Sequence, residues 1–301
     1  MRLLISAILF SGFACAADIP IREVQTECPE VSGQRVCEFR SGQLFRFDPI
    51  MRVYGTDGRF AFNVPIRIPN IESTPVNDVA VDSDGTLVMA VGGSQLNSGG
   101  IAVVDANGMQ TSFIDTTPFI PAHVALAPDH AVWVLGGEPK RRGYMILRKY
   151  TRGGQLLGSY LPRATFPHPG LEPGSEGDPT SLMAAGDRVA LIVYSGVTGG
   201  SREAIELDGS GNILGRTRVD RPDFHNFALT SDGNLYSWDE TLMPYGGLLL
   251  LDPIKGTSTK LESPGHLYGL IGADGNNLVY REPNDGPADG IKLVWFNQPG
   301  H

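Results

Sequence analysis

Short apolar runs alternate with small polar turns along this chain, and one such phrase recurs. Phe227-Ala-Leu-Thr-Ser-Asp-Gly-Asn-Leu-Tyr-Ser-Trp238 reads as a strand, a tight turn at Asp232-Gly233, and a second strand. An Asp-Gly turn between alternating apolar residues is the strongest short-range hairpin signal, because Gly accepts the left-handed backbone of the turn. Val79-Ala-Val-Asp-Ser-Asp-Gly-Thr-Leu-Val88 repeats the phrase. Looser copies run from Val124 to Trp133, Leu182 to Leu191 and Leu270 to Val279.

Aligning these turns places Ala80, Ala125, Met183, Ala228 and Leu270 at equivalent positions, at steps of 45, 58, 45 and 42 residues. The long step carries a Pro/Gly-rich insertion from Pro162 to Pro179. A second hairpin follows in each unit, as in Ile101-Ala-Val-Val-Asp-Ala-Asn-Gly turning into Thr111-Ser-Phe-Ile. Periods of about 40–45 residues with four short strands each are what propeller blades require. The N-terminal region fits the template too: Arg35 to Phe45 reads as a first hairpin, and Met51 to Phe62 as a second. Six units result, at about 28–70, 75–115, 121–161, 178–219, 223–262 and 265–297. The expected fold is therefore all-β: one six-bladed β-propeller domain over 17–301, with four antiparallel strands per blade.

The last unit is one strand short. After Ile291-Lys-Leu-Val-Trp-Phe296 only Asn-Gln-Pro-Gly-His remains, while Ile19-Pro-Ile-Arg-Glu-Val-Gln25 precedes the first blade without a role of its own. A ring held only by packing at its seam would expose unpaired strand edges, which proteins avoid. Residues 19–25 are thus expected to supply the outer strand of the last blade, where Pro20 is tolerated.

Composition sets the compartment. Arg2, the apolar run Leu3 to Phe13 and the small residues Ala14-Cys-Ala16 read as a signal peptide over 1–16. Lipid attachment at Cys15 is the rival reading, although Gly12 stands where lipoprotein signals usually carry Leu. No later apolar run is long enough to span a membrane. The expected location is secreted or periplasmic, which permits a disulfide between the two remaining cysteines, Cys28 and Cys37. That bond would pin the exit of the closing strand to blade one; two free buried thiols are the alternative. The net charge of −9 and the absence of a Lys/Arg block argue against nucleic acid as a partner. Lys140-Arg-Arg142 reads as a solvated loop. The protein is expected to be a monomer with no membrane span.

The phrase from Val79 to Val88, followed by a hairpin such as Ile101 to Gly108, resembles the NHL-type and related six-bladed β-propellers. The resemblance covers nearly all of 17–301 and concerns blade geometry, since the Asp-Gly pair is a turn requirement. That group contains binding scaffolds, lactonases and lyases, so the fold does not choose among them.

The candidate site follows from the alignment. The residues just before the apolar core of the inner strands are Arg35, Asp78, His123, Ser181, Asn226 and Tyr268. All six are polar, they differ from blade to blade, and they are expected to ring the mouth of the central channel. The longer loops between second and third strands return to that same face, where function is usually carried. Arg35, a permanent cation, is expected to bind a partly anionic small molecule or a protein loop; the structural alternative pairs it with Asp78. The bland reading of the whole ring is that channel mouths hold water and polar residues suit them.

Catalytic motifs are sparse. The histidines show no metal-binding spacing, and no Gly-x-Ser-x-Gly elbow occurs. Asp208-Gly-Ser-Gly-Asn212 begins like a calcium loop but has Ile213 at the sixth position and Val219 at the twelfth. Convergence of His123, His225 and His266 on a metal is a weaker reading, since the three fall in different columns. The resemblance to lactonases implies a metal held by Glu, Asn and Asp; Asp78 and Asn226 match two of these, but the ring has no Glu. The expectation is a binding scaffold without cofactor or bound metal. A metal-dependent lactonase- or lyase-like enzyme is the alternative.

Overall fold

A computed structural model of the chain describes residues 19–28, 38–47, 50–67, 76–93, 98–141, 143–166, 180–194, 202–219, 225–239, 246–262, 264, 268–282 and 290–299. Its strands form six four-stranded antiparallel sheets in a propeller arrangement. Blade one holds β2 (Glu38–Arg40), β3 (Gln43–Arg46), β4 (Met51–Tyr54) and β5 (Phe60–Val64). Blade two holds β6 (Val76–Val81), β7 (Leu87–Gly93), β8 (Ser98–Val104) and β9 (Gln110–Asp115). Blade three holds β10 (Ile120–Leu126), β11 (Val132–Gly137), β12 (Met145–Tyr150) and β13 (Leu156–Pro162), followed by a 3-10 turn at Arg163–Thr165. Blade four holds β14 (Ser181–Ala185), β15 (Arg188–Tyr194), β16 (Arg202–Asp208) and β17 (Ile213–Val219). Blade five holds β18 (His225–Leu229), β19 (Leu235–Asp239), β20 (Gly247–Asp252) and β21 (Thr257–Leu261).

Blade six holds β22 (Tyr268–Asp274), β23 (Asn277–Glu282) and β24 (Lys292–Asn297), and takes its outer strand from β1 (Arg22–Gln25). The expected closure is present and slightly shorter than 19–25. β1 runs antiparallel to β24 with Arg22 opposite Trp295 and Gln25 opposite Lys292. Lys292 Nζ reaches Glu23 at 3.0 Å and Glu282 at 2.6 Å, and the Arg22 guanidinium lies 4.5 Å from the Trp295 ring centre. Just beyond β1, the Thr26 N–H and hydroxyl both donate to the Ile291 carbonyl. Gly290 lies so close beneath this segment that a Cβ would sit 1.7 Å from the Thr26 carbonyl oxygen. Cys28 is buried where blade six meets blade one. Cys37, and so the expected pairing, lies outside the described residues, as does the expected signal segment. No helix among the described residues is long and apolar enough to cross a membrane.

The strand pattern explains the ring. In β7, Leu87, Met89 and Val91 join the cluster shared with blade one, while Val88 and Ala90 join the one shared with blade three. A period of two therefore buries both faces of a middle strand, which is why β7 and β11 read as continuous apolar runs. Each fully buried aliphatic side chain contributes roughly 1.5–3 kcal/mol. Apolar clusters fill every seam between neighbouring blades, including the one between blades six and one. Outer strands such as β21 face solvent and are polar, as Thr257-Ser-Thr-Lys-Leu261 shows.

Candidate functional site

The six inner strands, β2, β6, β10, β14, β18 and β22, converge on a central cavity of about 300 Å³. It exists because small residues stand where the strands meet: Ala80, Ala125, Ala184, Ala228, Gly272 and Ala273 all line it. Four of the six aligned polar residues are brought together there: Asp78, His123, Ser181 and Asn226. Arg35 lies outside the described residues, as does the Tyr268 side chain at the start of β22. From blade six the described lining is Ile271, Gly272 and Ala273. Two register shifts in β22, between Tyr268 and Leu270 and between Leu270 and Gly272, interrupt the pairing that a plain repeat would impose.

Two further bulges shape the polar side of the cavity. Register shifts fall between Val76 and Asp78 in β6 and between Pro121 and His123 in β10. A bulge bends its strand and re-aims the following side chain. Asp78 is 2% exposed, and both of its oxygens are used. Oδ1 accepts from Arg40 Nη2 and from the Val79 N–H, each at 2.8 Å. Oδ2 accepts from the Val124 N–H at 3.2 Å and lies 3.3 Å from His123 Nδ1. Burial pushes the Asp78 carboxyl pKa up, but the Arg40 charge, the His123 hydrogen bond and charge, and the Val124 N–H together hold it below its ordinary value. The far nitrogen, His123 Nε2, lies 2.7 Å from Thr180 Oγ1.

Arg40, Asp78, His123 and Thr180 thus form one hydrogen-bonded line across blades one to four. Arg40 and Thr180 lie outside the aligned column. Thr180 stands one residue before Ser181, immediately ahead of β14. Arg40 ends β2, next to the Ser41-Gly42 turn, and its long side chain carries the charge over to blade two. The cation that meets Asp78 among the described residues is therefore Arg40. On the other side of the cavity, the Asn226 and Ser181 side chains have no hydrogen-bond partner among the described residues.

The described donor set does not suit a lactonase-type metal. Asp78, the carboxylate of the described lining, already accepts four hydrogen bonds and faces a guanidinium, which opposes a cation. No group of three or more His, Cys, Asp or Glu side chains among the described residues is placed to hold a metal ion. His266 and the His225 side chain, invoked with His123 for a metal, fall outside that description. The Asp208 loop closes on itself: its carboxylate accepts from the Ser210 and Asn212 N–H groups and the Asn212 amide.

No family model matches the chain, and no curated protein matches it. Its fold is similar to that of solved structures of low identity. A protein from Bacteroides fragilis described as exported is 9% identical with a TM-score of 0.55, over 93% of this chain and 98% of that one. A gluconolactonase from Xanthomonas campestris is 14% identical with a TM-score of 0.50, over 92% of this chain and 98% of that one. These likenesses are of fold; they support the six-bladed propeller and stop short of the NHL type.

Proposed function

We propose that this chain is an exported propeller that binds a small, neutral, polar molecule in its central cavity. The signal-like first 16 residues and the likeness to an exported propeller support the location. The observation that carries the binding reading is the two-sided cavity. One wall is a hydrogen-bonded polar line from Arg40 to Thr180, in which the Arg40 and Asp78 charges cancel. The other offers Asn226 and Ser181, whose side chains have no partner among the described residues, beside small apolar residues. The cavity volume of about 300 Å³ is at the small end of the range of ligand sites, and its lining carries more polar than apolar surface, as a polar ligand needs. The anion preference was expected of Arg35, which lies outside the described residues; within the described lining Asp78 neutralises Arg40, which favours a neutral ligand with hydroxyl or carbonyl oxygens.

A thermal-shift screen of small sugars, neutral esters and acids tests this. Stabilising compounds should be neutral and should bind about three- to tenfold more weakly to Asn226→Ala, the loss of one or two neutral hydrogen bonds. Binding unchanged in both Asn226→Ala and Ser181→Ala would place the site elsewhere.

A further inference from the structure

Asp78, His123 and Thr180 come from three different blades, yet they stand in the order acid, imidazole, hydroxyl. The protonation pattern follows from geometry. An ionised carboxylate only accepts, so the His123 nitrogen facing Asp78, Nδ1, carries a proton. In the neutral imidazole the other nitrogen, Nε2, then has a free lone pair. The group 2.7 Å from that lone pair is the Thr180 hydroxyl, which must therefore donate to it. Asp78 is kept ionised by the Arg40 contact at 2.8 Å and by the Val79 and Val124 N–H groups. The imidazole is thus fixed in tautomer, and its basic nitrogen is aimed at a hydroxyl in the wall of a cavity.

From this arrangement we infer that Thr180 is a nucleophile activated by His123 and Asp78, able to take an acyl group from a small carboxylic ester. The inference rests on the binding reading above, since the ester must occupy the same cavity. A hydroxyl becomes nucleophilic when an adjacent base accepts its proton and a third group orients that base. As Thr180 Oγ1 bonds to the ester carbonyl carbon, the carbonyl electron pair moves onto its oxygen and the Thr180 proton passes to His123 Nε2. Asp78 stabilises the imidazolium so formed. When the carbonyl re-forms, the bond to the leaving alkoxide breaks, and that oxygen takes the proton from Nε2. Water then attacks the acyl-threonine and delivers its proton to Nε2, and Thr180 regains it as the acid departs. The balance is ester plus water giving acid plus alcohol. The Asn226 amide, which has no hydrogen-bond partner among the described residues, is the donor in the same cavity available to the oxyanion.

The experiment uses the exported chain and p-nitrophenyl acetate, with acid quenching, intact-mass measurement and peptide mapping. Wild type should release p-nitrophenol and gain one acetyl group on Thr180. The rate should rise with pH through the range where imidazole loses its proton. Thr180→Val and His123→Gln should each lower Thr180-dependent release at least a hundredfold, whereas Thr180→Ser should restore an acylable hydroxyl. Melting curves confirm that each variant is folded, and Thr180→Ser covers the case in which valine disturbs the cavity. Wild type unlabelled at Thr180, or labelled equally fast in folded His123→Gln, overturns the inference. Failure of the binding reading looks different: acetylation of Thr180 would persist while neutral ligands bind Asn226→Ala and Ser181→Ala as well as wild type.

Discussion

Blades two and three are joined by two Asp–His pairs, and their surroundings make them different objects. At the channel, Asp78 meets His123, with side chains 3% and 21% exposed. At the turn end of the same strands, Asp82 meets His130, 6% and 49% exposed, with Nδ1 2.8 Å from Oδ2. Each carboxylate also holds an arginine, Arg40 for Asp78 and Arg152 for Asp82. The difference lies in the reach of the chain of contacts. Arg152 returns to blade two by pairing with Asp84, so the outer cluster stays within two blades. The inner one runs from Arg40 in blade one to Thr180 in blade four. At the channel, contacts between neighbouring blades link end to end through Asp78 and His123, whereas the outer contacts of Asp82 stop at blade three. An Asp–His pair is a seam clamp in both places, and only the third partner makes one of them a proton path.

Removing the acids should separate the two clusters most strongly. Asp78→Ala removes the shared acceptor of Arg40, His123 and the Val79 and Val124 N–H groups, and hydrogen bonds to a charged group are worth about 1.5–3 kcal/mol each, so the loss should be about 2–4 kcal/mol. Asp82→Ala removes partners that solvent already screens, so the loss should be about 1–2 kcal/mol, the upper part from the Ser83 N–H that Asp82 also accepts. Urea unfolding of both variants measures the contrast. Equal losses would mean that the channel line adds nothing to a two-blade clamp.

Coupling sharpens the comparison at smaller cost. Residues in one hydrogen-bond network show interaction energies of about 0.5–3 kcal/mol, while independent sites add within about 0.5 kcal/mol. Thr180→Val and Arg40→Met, in blades four and one, should therefore be non-additive because Asp78 and His123 join them. Thr180→Val and Arg152→Met should simply add. A double-mutant cycle in urea decides; additivity in the first pair would cut the line into separate contacts.

Acid titration probes the channel cluster by itself. The Asp78 carboxyl titrates below its ordinary value in the fold, so its stabilisation is complete above about pH 4, the unfolded value, and fades as pH falls through the lowered native value. Stability measured from pH 6 down to pH 2 should fall in wild type, and the fall should be shallower in Asp78→Ala. An unchanged profile would show that Asp78 binds its proton alike in both states.

The comparison also shows what was legible in the amino-acid sequence. The Asp-Gly turns carry the repeat because Gly85 and Gly233 take positive φ, 81° and 88°, at equivalent hairpins. The closing strand was legible as a missing partner. Asp78, His123, Ser181 and Asn226 were legible because a column of polar residues before apolar strands has to face something other than core. Thr180 was hidden one residue outside the column, at the edge of the Pro/Gly-rich insertion where the repeat breaks off. Arg40 was hidden because its guanidinium acts a blade away from its backbone, and a repeat alignment registers backbones. Blade six departs from the plain repeat as well, with register shifts on either side of Leu270 in β22.

The smallest expected effect is at His130. Its φ of 60° is left-handed backbone, and it occupies the turn position that Gly85 and Gly233 fill in blades two and five. A side chain there is strained, and glycine removes that strain. His130 gives in return its contact with Asp82, but at 49% exposure such a pair is worth about 0–1 kcal/mol. Arg152 remains on Asp82 at 3.0 Å, so the carboxylate does not lose its last charged partner. The two effects oppose each other, and His130→Gly should change stability by less than about 0.5 kcal/mol in urea unfolding. His123 has no such compensation. It is a half-buried strand residue with both ring nitrogens engaged, and His123→Gly would leave Asp78 Oδ2 and the Thr180 hydroxyl each short of a partner. A loss at His130 as large as that at His123 would make the outer pair a true lock between the blades and remove the distinction drawn from exposure.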